Sequence, residues 1–186
     1  MRLIVAISGA SGVIYGIRML EALKEEKVET HLIVSRWAEK IIEYETNLTV
    51  EQVKKMADYN YEVEDLAASI ASGSSDFLGM VIIPCSTKTL AAIANGYSEN
   101  LIHRCAEVML KEKCKLVVAP RETPLNLIHL RNMVKLAEAG VIIAPLMPPY
   151  YHQPKTIDEL INQMVGKILN IFGVKSRFYK EWKKPF

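Results

Sequence analysis

Arg2-Leu3-Ile4-Val5-Ala6-Ile7-Ser8-Gly9-Ala10-Ser11-Gly12 opens the chain, and its reading decides the fold. Leu3 to Ile7 is apolar at every position, as in a parallel strand covered on both faces. The run breaks into a turn of small residues, in which Gly9 and Gly12 permit close backbone approach to a ligand. An amphipathic stretch, Val13 to Glu26, follows. The free N–H groups and positive dipole end of such a helix suit a phosphate, and Ser11 adds a hydroxyl. The same turn also reads as a plain strand-to-helix connection with Ser11 as N-cap. Its pattern is G-x-x-G, short of the full dinucleotide fingerprint, and no Lys-Ser/Thr pair makes it a P-loop.

The alternation of apolar runs and amphipathic stretches continues. Further strands are expected at Thr30 to Val34, Gly79 to Ile83, Lys115 to Ala119 and Val141 to Ala144. Further helices are expected at Arg36 to Tyr44, Val50 to Met56, Lys88 to Asn95, Asn100 to Glu112, Leu127 to Glu138 and Ile157 to Phe172. Thr156 and Glu159 form a capping-box pattern ahead of the last helix. This is the mark of βαβ units and an α/β fold with a parallel sheet.

The 186 residues fit one domain, 1–186. A net charge of +2 gives no basis for a nucleic-acid or anionic-membrane partner. The Lys-rich end, Lys175 to Lys184, reads as a solvated tail. Three cysteines, Cys85, Cys105 and Cys114, make no disulfide framework and no C-x-x-C pair. With no secretory signal at the N-terminus, they fit the reducing cytoplasm. No apolar run approaches the ~20 residues of a membrane span.

Ligands of open α/β sheets bind outside the carboxyl ends of the strands, so the loops there carry the functional reading. Ser35 ends the second strand, able to cap the next helix or touch a ligand. Glu45 near the end of that helix reads as a solvated residue. Ala71-Ser72-Gly73-Ser74-Ser75 is small and polar, a linker or a mobile cover. Pro84-Cys85-Ser86-Thr87-Lys88-Thr89 places hydroxyls and an ammonium at a helix start, suited to a phosphate or a pyrimidine edge. Cys85 reads as a small buried side chain rather than a nucleophile. Pro120-Arg121-Glu122-Thr123-Pro124 sets two charges at the end of a buried strand. Arg121 can fork onto a phosphate or a carbonyl, and Glu122 can exchange protons. Pro145 to Pro154 is a stiff loop displaying Tyr150, Tyr151 and His152, the last also readable as a structural histidine.

Taken together, these loops resemble the flavin prenyltransferase (UbiX) family over nearly the whole chain. The resemblance rests on S-G-A-S-G at 8–12, A-S-G-S-S at 71–75, P-C-S-T at 84–87, N-L-I-H-R at 100–104, P-R-E-T-P-L at 120–125, I-H-L at 128–130 and Y-H-Q-P at 151–154. It implies a three-layer Rossmann-like, flavodoxin-type fold, helices on both faces of the sheet, and a homododecamer with sites between subunits. The tail, about 173–186, would then lie on a neighbouring subunit or in solvent.

The resemblance further implies reduced FMN as substrate, dimethylallyl phosphate as prenyl donor, bonds to flavin N5 and C6, and no metal. The product would serve a UbiD-type decarboxylase. Gly9, Ala10, Ser11, Ser35, Ser86, Thr87, Lys88, Thr89 and Arg121 match FMN-binding positions. Arg104, Lys111, Tyr151 and Lys167 match positions around the donor phosphate, contributed by more than one subunit. Lys167 stands where the family usually has arginine, which keeps the charge and loses the planar fork. Ser11, Glu45 and Glu122 match groups linked to proton handling. Two rival readings are an FMN-dependent cysteine decarboxylase and a non-catalytic FMN-binding subunit of a decarboxylase complex. Against the first, His31 sits in a strand; against the second, a carrier needs no cationic clamp for another phosphate.

Overall fold

The computed structural model describes residues 1–73 and 76–182. Ser74 and Ser75 of the small-residue segment, and Lys184 of the tail, lie outside the described residues. Six strands form one parallel sheet: β1 (Arg2–Ile7), β2 (Glu29–Val34), β3 (Tyr59–Tyr61), β4 (Met80–Cys85), β5 (Leu116–Pro120) and β6 (Ile142–Ile143). Their order is β3-β2-β1-β4-β5-β6. Among the described residues, seven α-helices connect and cover them: α1 (Val13–Glu25), α2 (Arg36–Glu45), α3 (Val50–Lys54), α4 (Thr87–Ala94), α5 (Leu101–Lys111), α6 (Leu127–Glu138) and α7 (Ile157–Ile171).

Strand side chains alternate between two cores, because successive residues point to opposite faces. Leu3, Val5, Ile7, Val81, Ile83 and Val117 pack with α1 and α7. Ile4, Ala6, Ile82, Leu116 and Val118 pack with α4 and α5. Each fully buried Leu or Ile contributes roughly 1.5–3 kcal/mol, so a slip of one residue, which inverts both faces, is strongly disfavoured. The expected α/β fold with helices on both faces is what the chain adopts. α6 is the outlier: it buries Leu136 and leaves Leu127, Ile128, Leu130 and Val134 exposed.

The sequence reading expects five strands, and the structure adds β3. It is a three-residue edge strand with Tyr59 and Asn60 exposed, so no apolar run marks it. Side chains secure it instead: the Asp58 carboxylate accepts from the Thr30 N–H (2.8 Å) and hydroxyl (3.0 Å), and His31 stacks on Tyr59 at 4.8 Å. The helix expected to reach Met56 therefore ends at Lys54.

The tail exposes Lys175, Arg177, Lys180 and Trp182 and is also anchored to its own chain. Val174 is buried, Arg177 makes two bonds to Glu25 of α1 (2.9 and 2.8 Å), and the Lys180 backbone is held by Gln163 of α7. The capping box of α7 is half made. Thr156 accepts from the Glu159 N–H at 3.2 Å, while the Glu159 carboxylate turns to the Lys155 N–H. No helix among the described residues is long and apolar enough to cross a membrane.

Candidate active site

Strand order reverses between β1 and β4, and this switch point is where the loops converge. Ser8 ties them together. Its hydroxyl donates to the Pro84 carbonyl (3.0 Å) and accepts from the Ser86 N–H (2.8 Å). On either side, the Ser35 N–H donates to the Ile7 carbonyl and the Arg121 N–H to the Cys85 carbonyl. The ends of β1, β2, β4 and β5 are thus locked side by side by main-chain bonds.

A cleft of about 470 Å³ opens there, lined by Gly9, Ser35, Trp37, Ser86, Thr87, Lys88, Thr89, Glu99, Asn100 and His103. That volume is in the range of cofactor sites, about 300–1,000 Å³. Gly9 is required by crowding: a Cβ there would stand 2.7 Å from Trp37 Cβ. Ser35 caps α2 through the Ala38 N–H (3.2 Å), and Ser86 caps α4 through the Thr89 N–H (3.2 Å). Both serines also line the cleft, so the two readings of Ser35 are compatible. Ala10 is buried and Ser11 exposed at the turn.

The first turn corrects the sequence reading in two ways. Ser11 is not the N-cap of α1; Gly12 is, at φ 96°, a left-handed conformation that favours glycine. And the helix start is not open. Glu45, from the end of α2, accepts from the Gly12 N–H (2.8 Å) and the Val13 N–H (3.4 Å). The residue that reads as solvated is a cap supplied from another helix.

Arg121 Nε donates to the Ser11 carbonyl at 2.9 Å, joining β5 to the first turn. Beside it, a second cleft of about 390 Å³ is lined by Arg121, Glu122, Leu125, Met133, Leu146 and Met147. The exposed Glu122 carboxylate accepts from the Thr123 N–H at 3.0 Å.

The four donor-phosphate candidates do not meet in one chain. Tyr151 and Lys167 share the corner between α7 and the tail: the Tyr151 hydroxyl donates to the Lys180 carbonyl (3.2 Å), and the Lys167 ammonium lies 5.5 Å from the Tyr179 ring centroid. Arg104 instead pairs with Glu107 at 2.9 Å and Lys111 with Glu112 at 2.9 Å, both on the far helix α5.

Cys85 is fully buried and desolvation pushes its thiol far up, so it is a packing residue as expected. Burial likewise pushes the Cys105 thiol up to about 12. No group of three His, Cys, Asp or Glu among the described residues could hold a metal ion.

Sequence reasoning passes over His103. It is 2% exposed, lines the larger cleft, and neither ring nitrogen has a hydrogen-bond partner among the described residues. Desolvation pushes its pKa down, against Glu99 and with Lys88, which favours the neutral ring. A buried, unpaired imidazole facing a cleft is a group prepared for a ligand's polar edge. The quoted N-L-I-H-R motif contains it, but only burial singles it out.

A parallel sheet with a hydroxyl-lined cleft at its switch point defines an α/β protein built to hold a phosphorylated ligand, and residues 1–170 match the family described as Flavoprotein. The flavin prenyltransferase UbiX of Methanocaldococcus jannaschii is 48% identical over 182 residues, 98% of each chain. AnUbiX (PadA1), solved in complex with FMN and dimethylallyl pyrophosphate, superposes with a TM-score of 0.97 at 45% identity, covering 98% of this chain and 97% of that one. The dodecameric FMN-dependent UbiX-like decarboxylase from Escherichia coli O157:H7 gives 0.96 at 44%, covering 99% and 100%. This chain belongs to the flavin prenyltransferase (UbiX) family. Peptidyl-cysteine decarboxylase EpiD, at 17% identity and a TM-score of 0.63 over 80% of this chain and 87% of that one, shares the fold.

Proposed function

We propose that the protein is a metal-independent flavin prenyltransferase that joins the dimethylallyl group of dimethylallyl phosphate to N5 and C6 of reduced FMN. The observation that carries this is the match in backbone and sequence, over 98% of the chain, to AnUbiX, solved with FMN and dimethylallyl pyrophosphate. The cleft residues fit FMN: Ser35, Ser86, Thr87 and Thr89 offer hydroxyls, Lys88 a charge, and His103 an unpaired imidazole. Bound FMN supplies the nucleophilic ring positions.

The chain's own groups do the rest. Gly9, Ala10, Ser11 and Arg121 hold the flavin from the β1 and β5 sides, and Ser86 to Thr89 from α4. Arg104, Lys111 and Lys167 place positive charge against the departing phosphate, where negative charge develops. Tyr151 donates a hydrogen bond to the same oxygens. Glu122 accepts the proton lost when the second bond forms, with the Ser11 hydroxyl as relay, and Glu45 holds the turn that carries Ser11.

Because Arg104 and Lys111 lie away from Tyr151, the complete donor site needs more than one copy. The relative from Escherichia coli O157:H7 is dodecameric, and the exposed apolar face of α6 supports the same assembly here. The product serves a UbiD-type decarboxylase, and the free cysteines suit work in the reducing cytoplasm.

The test is incubation of the purified protein with FMN and dimethylallyl phosphate under anaerobic reducing conditions, followed by mass spectrometry of the flavin. The expected product carries one added C5H8 unit. Unmodified flavin after full reduction overturns the reading.

A further inference from the structure

Gln163 is polar, sits on α7, and is only 1% exposed. Such burial is tolerated because its carboxamide is engaged at both ends. The Lys180 N–H donates to Oε1 at 2.9 Å, and Nε2 donates to the Lys180 carbonyl at 2.9 Å and to the Tyr151 oxygen at 2.9 Å. The tail backbone thereby fixes which way the amide faces. A main-chain N–H can only donate and a carbonyl only accept, so Nε2 must be the atom that meets Tyr151. Tyr151 receives a bond from Gln163, and its own proton goes to the Lys180 carbonyl, 3.2 Å away.

We propose that Gln163 is a positioning residue of the donor-phosphate corner: its amide nitrogen, oriented by the Lys180 backbone, donates to the Tyr151 oxygen and leaves the Tyr151 proton for the donor phosphate. The inference rests on the reading above, in which Tyr151 faces that phosphate. On binding, a phosphate oxygen takes the Tyr151 proton in place of the Lys180 carbonyl, while the Gln163 bond persists and holds the phenol ring in its angle. Burial, with the neighbouring Tyr179, raises the Tyr151 pKa above its ordinary value and outweighs the Gln163 bond and Lys167, which lower it.

The test is a double-mutant cycle between Gln163 and Tyr151. Gln163→Met keeps length and removes the donor. Gln163→Glu is isosteric but turns the atom facing Tyr151 into an acceptor, which captures the hydroxyl proton. Calorimetric titration of dimethylallyl phosphate into the protein carrying oxidised FMN reads Kd without turnover, and the kinetics of flavin alkylation read KM and kcat.

For Gln163→Met a donor Kd raised about fivefold is expected, the order of one neutral hydrogen bond. KM should rise in parallel while kcat stays within about twofold, the mark of uniform binding. Gln163→Glu should be weaker still. In a Tyr151→Phe background the Gln163→Met effect should fall below about twofold. FMN affinity is expected to be unchanged throughout.

A Gln163→Met effect that persists in full without the Tyr151 hydroxyl shows packing alone and overturns the proposal. So does Gln163→Glu binding the donor as tightly as wild type. Should α7 variants fail to fold, Lys180→Pro deletes the N–H that orients the amide without touching α7, and the same coupling is required of it. Wild-type protein that neither binds the donor nor alkylates flavin refutes the activity; active wild type with no coupling refutes only the role of Gln163.

Discussion

Replacing Glu45 separates a helix cap from a solvated side chain. Glu45 is the last residue of α2, yet its carboxylate serves the Gly12 N-cap amide and the first amide of α1, 33 and 32 residues earlier in the chain. Gly12, the N-cap residue, has no side chain to do this. Loss of an N-cap acceptor costs about 1 kcal/mol, and loss of a negative charge at a helix N-terminus adds about 0.5 kcal/mol. Glu45→Ala should therefore destabilise the protein by about 1.5 kcal/mol, and Glu45→Gln, which keeps an acceptor, by about 0.5 kcal/mol. Alanine is the better helix former, so α2 itself loses nothing by the change. Urea denaturation of the FMN-free protein measures both, at one protein concentration because association shifts apparent stability. Were Glu45 merely solvated, both variants would fall within about 0.5 kcal/mol of wild type and Glu45→Ala would not be the weaker. That outcome would refute the cap.

Two further outcomes are expected. His103 is held neutral by burial, its pKa below the ordinary 6.5; the unfolded chain therefore takes up a proton there first, and stability falls as pH drops through about 6.5. His103→Leu should flatten that slope between about pH 7.5 and 5.5 in urea titrations, and an unchanged slope would count against it. Paired Ile128→Asp and Val134→Asp substitutions on α6, at 67% and 57% exposed positions, should leave circular dichroism unchanged and break the oligomer in light scattering; an intact assembly would show that α6 is not an interface.

The parts of this molecule readable from sequence are those with a local cause. Apolar runs mark β1, β2, β4 and β5 because burial on both faces leaves no alternation to misread, and β6 keeps an apolar pair although it is a half-buried edge strand. The loops after them stand out in sequence because their hydroxyls and charges interrupt buried strands, although Ser35 and Ser86 also cap helices. What escaped depends on partners far along the chain. β3 exists because His31 and Thr30 hold it from β2. Glu45 acts through amides of a different helix, so its neighbours in sequence say nothing of its role. Gln163 looks like an ordinary helix residue until the tail folds back to meet it. The donor-phosphate set matched by resemblance is divided between α5 and the α7 corner, a separation no spacing along the chain reveals.

The Glu45 cap also bears on how a flavin would lie. A helix N-terminus attracts one anion, and a carboxylate already holds the Gly12 and Val13 amides. Bringing a phosphate to the same amides would set two negative charges about 4 Å apart, worth roughly 4 kcal/mol of repulsion near a protein surface. The α4 side offsets its carboxylate with a cation: Ser86, Thr87 and Thr89 cluster at that helix start, and Lys88 pairs there with Glu99 at 3.2 Å. The proposed reading therefore sets the FMN phosphate against α4 and directs the ring toward the first turn, Arg121 and Glu122. On the proposed reading, Ser11 and Glu122 serve the proton transfer there. In that orientation, the residue that blocks one phosphate seat is the one that holds the turn carrying Ser11.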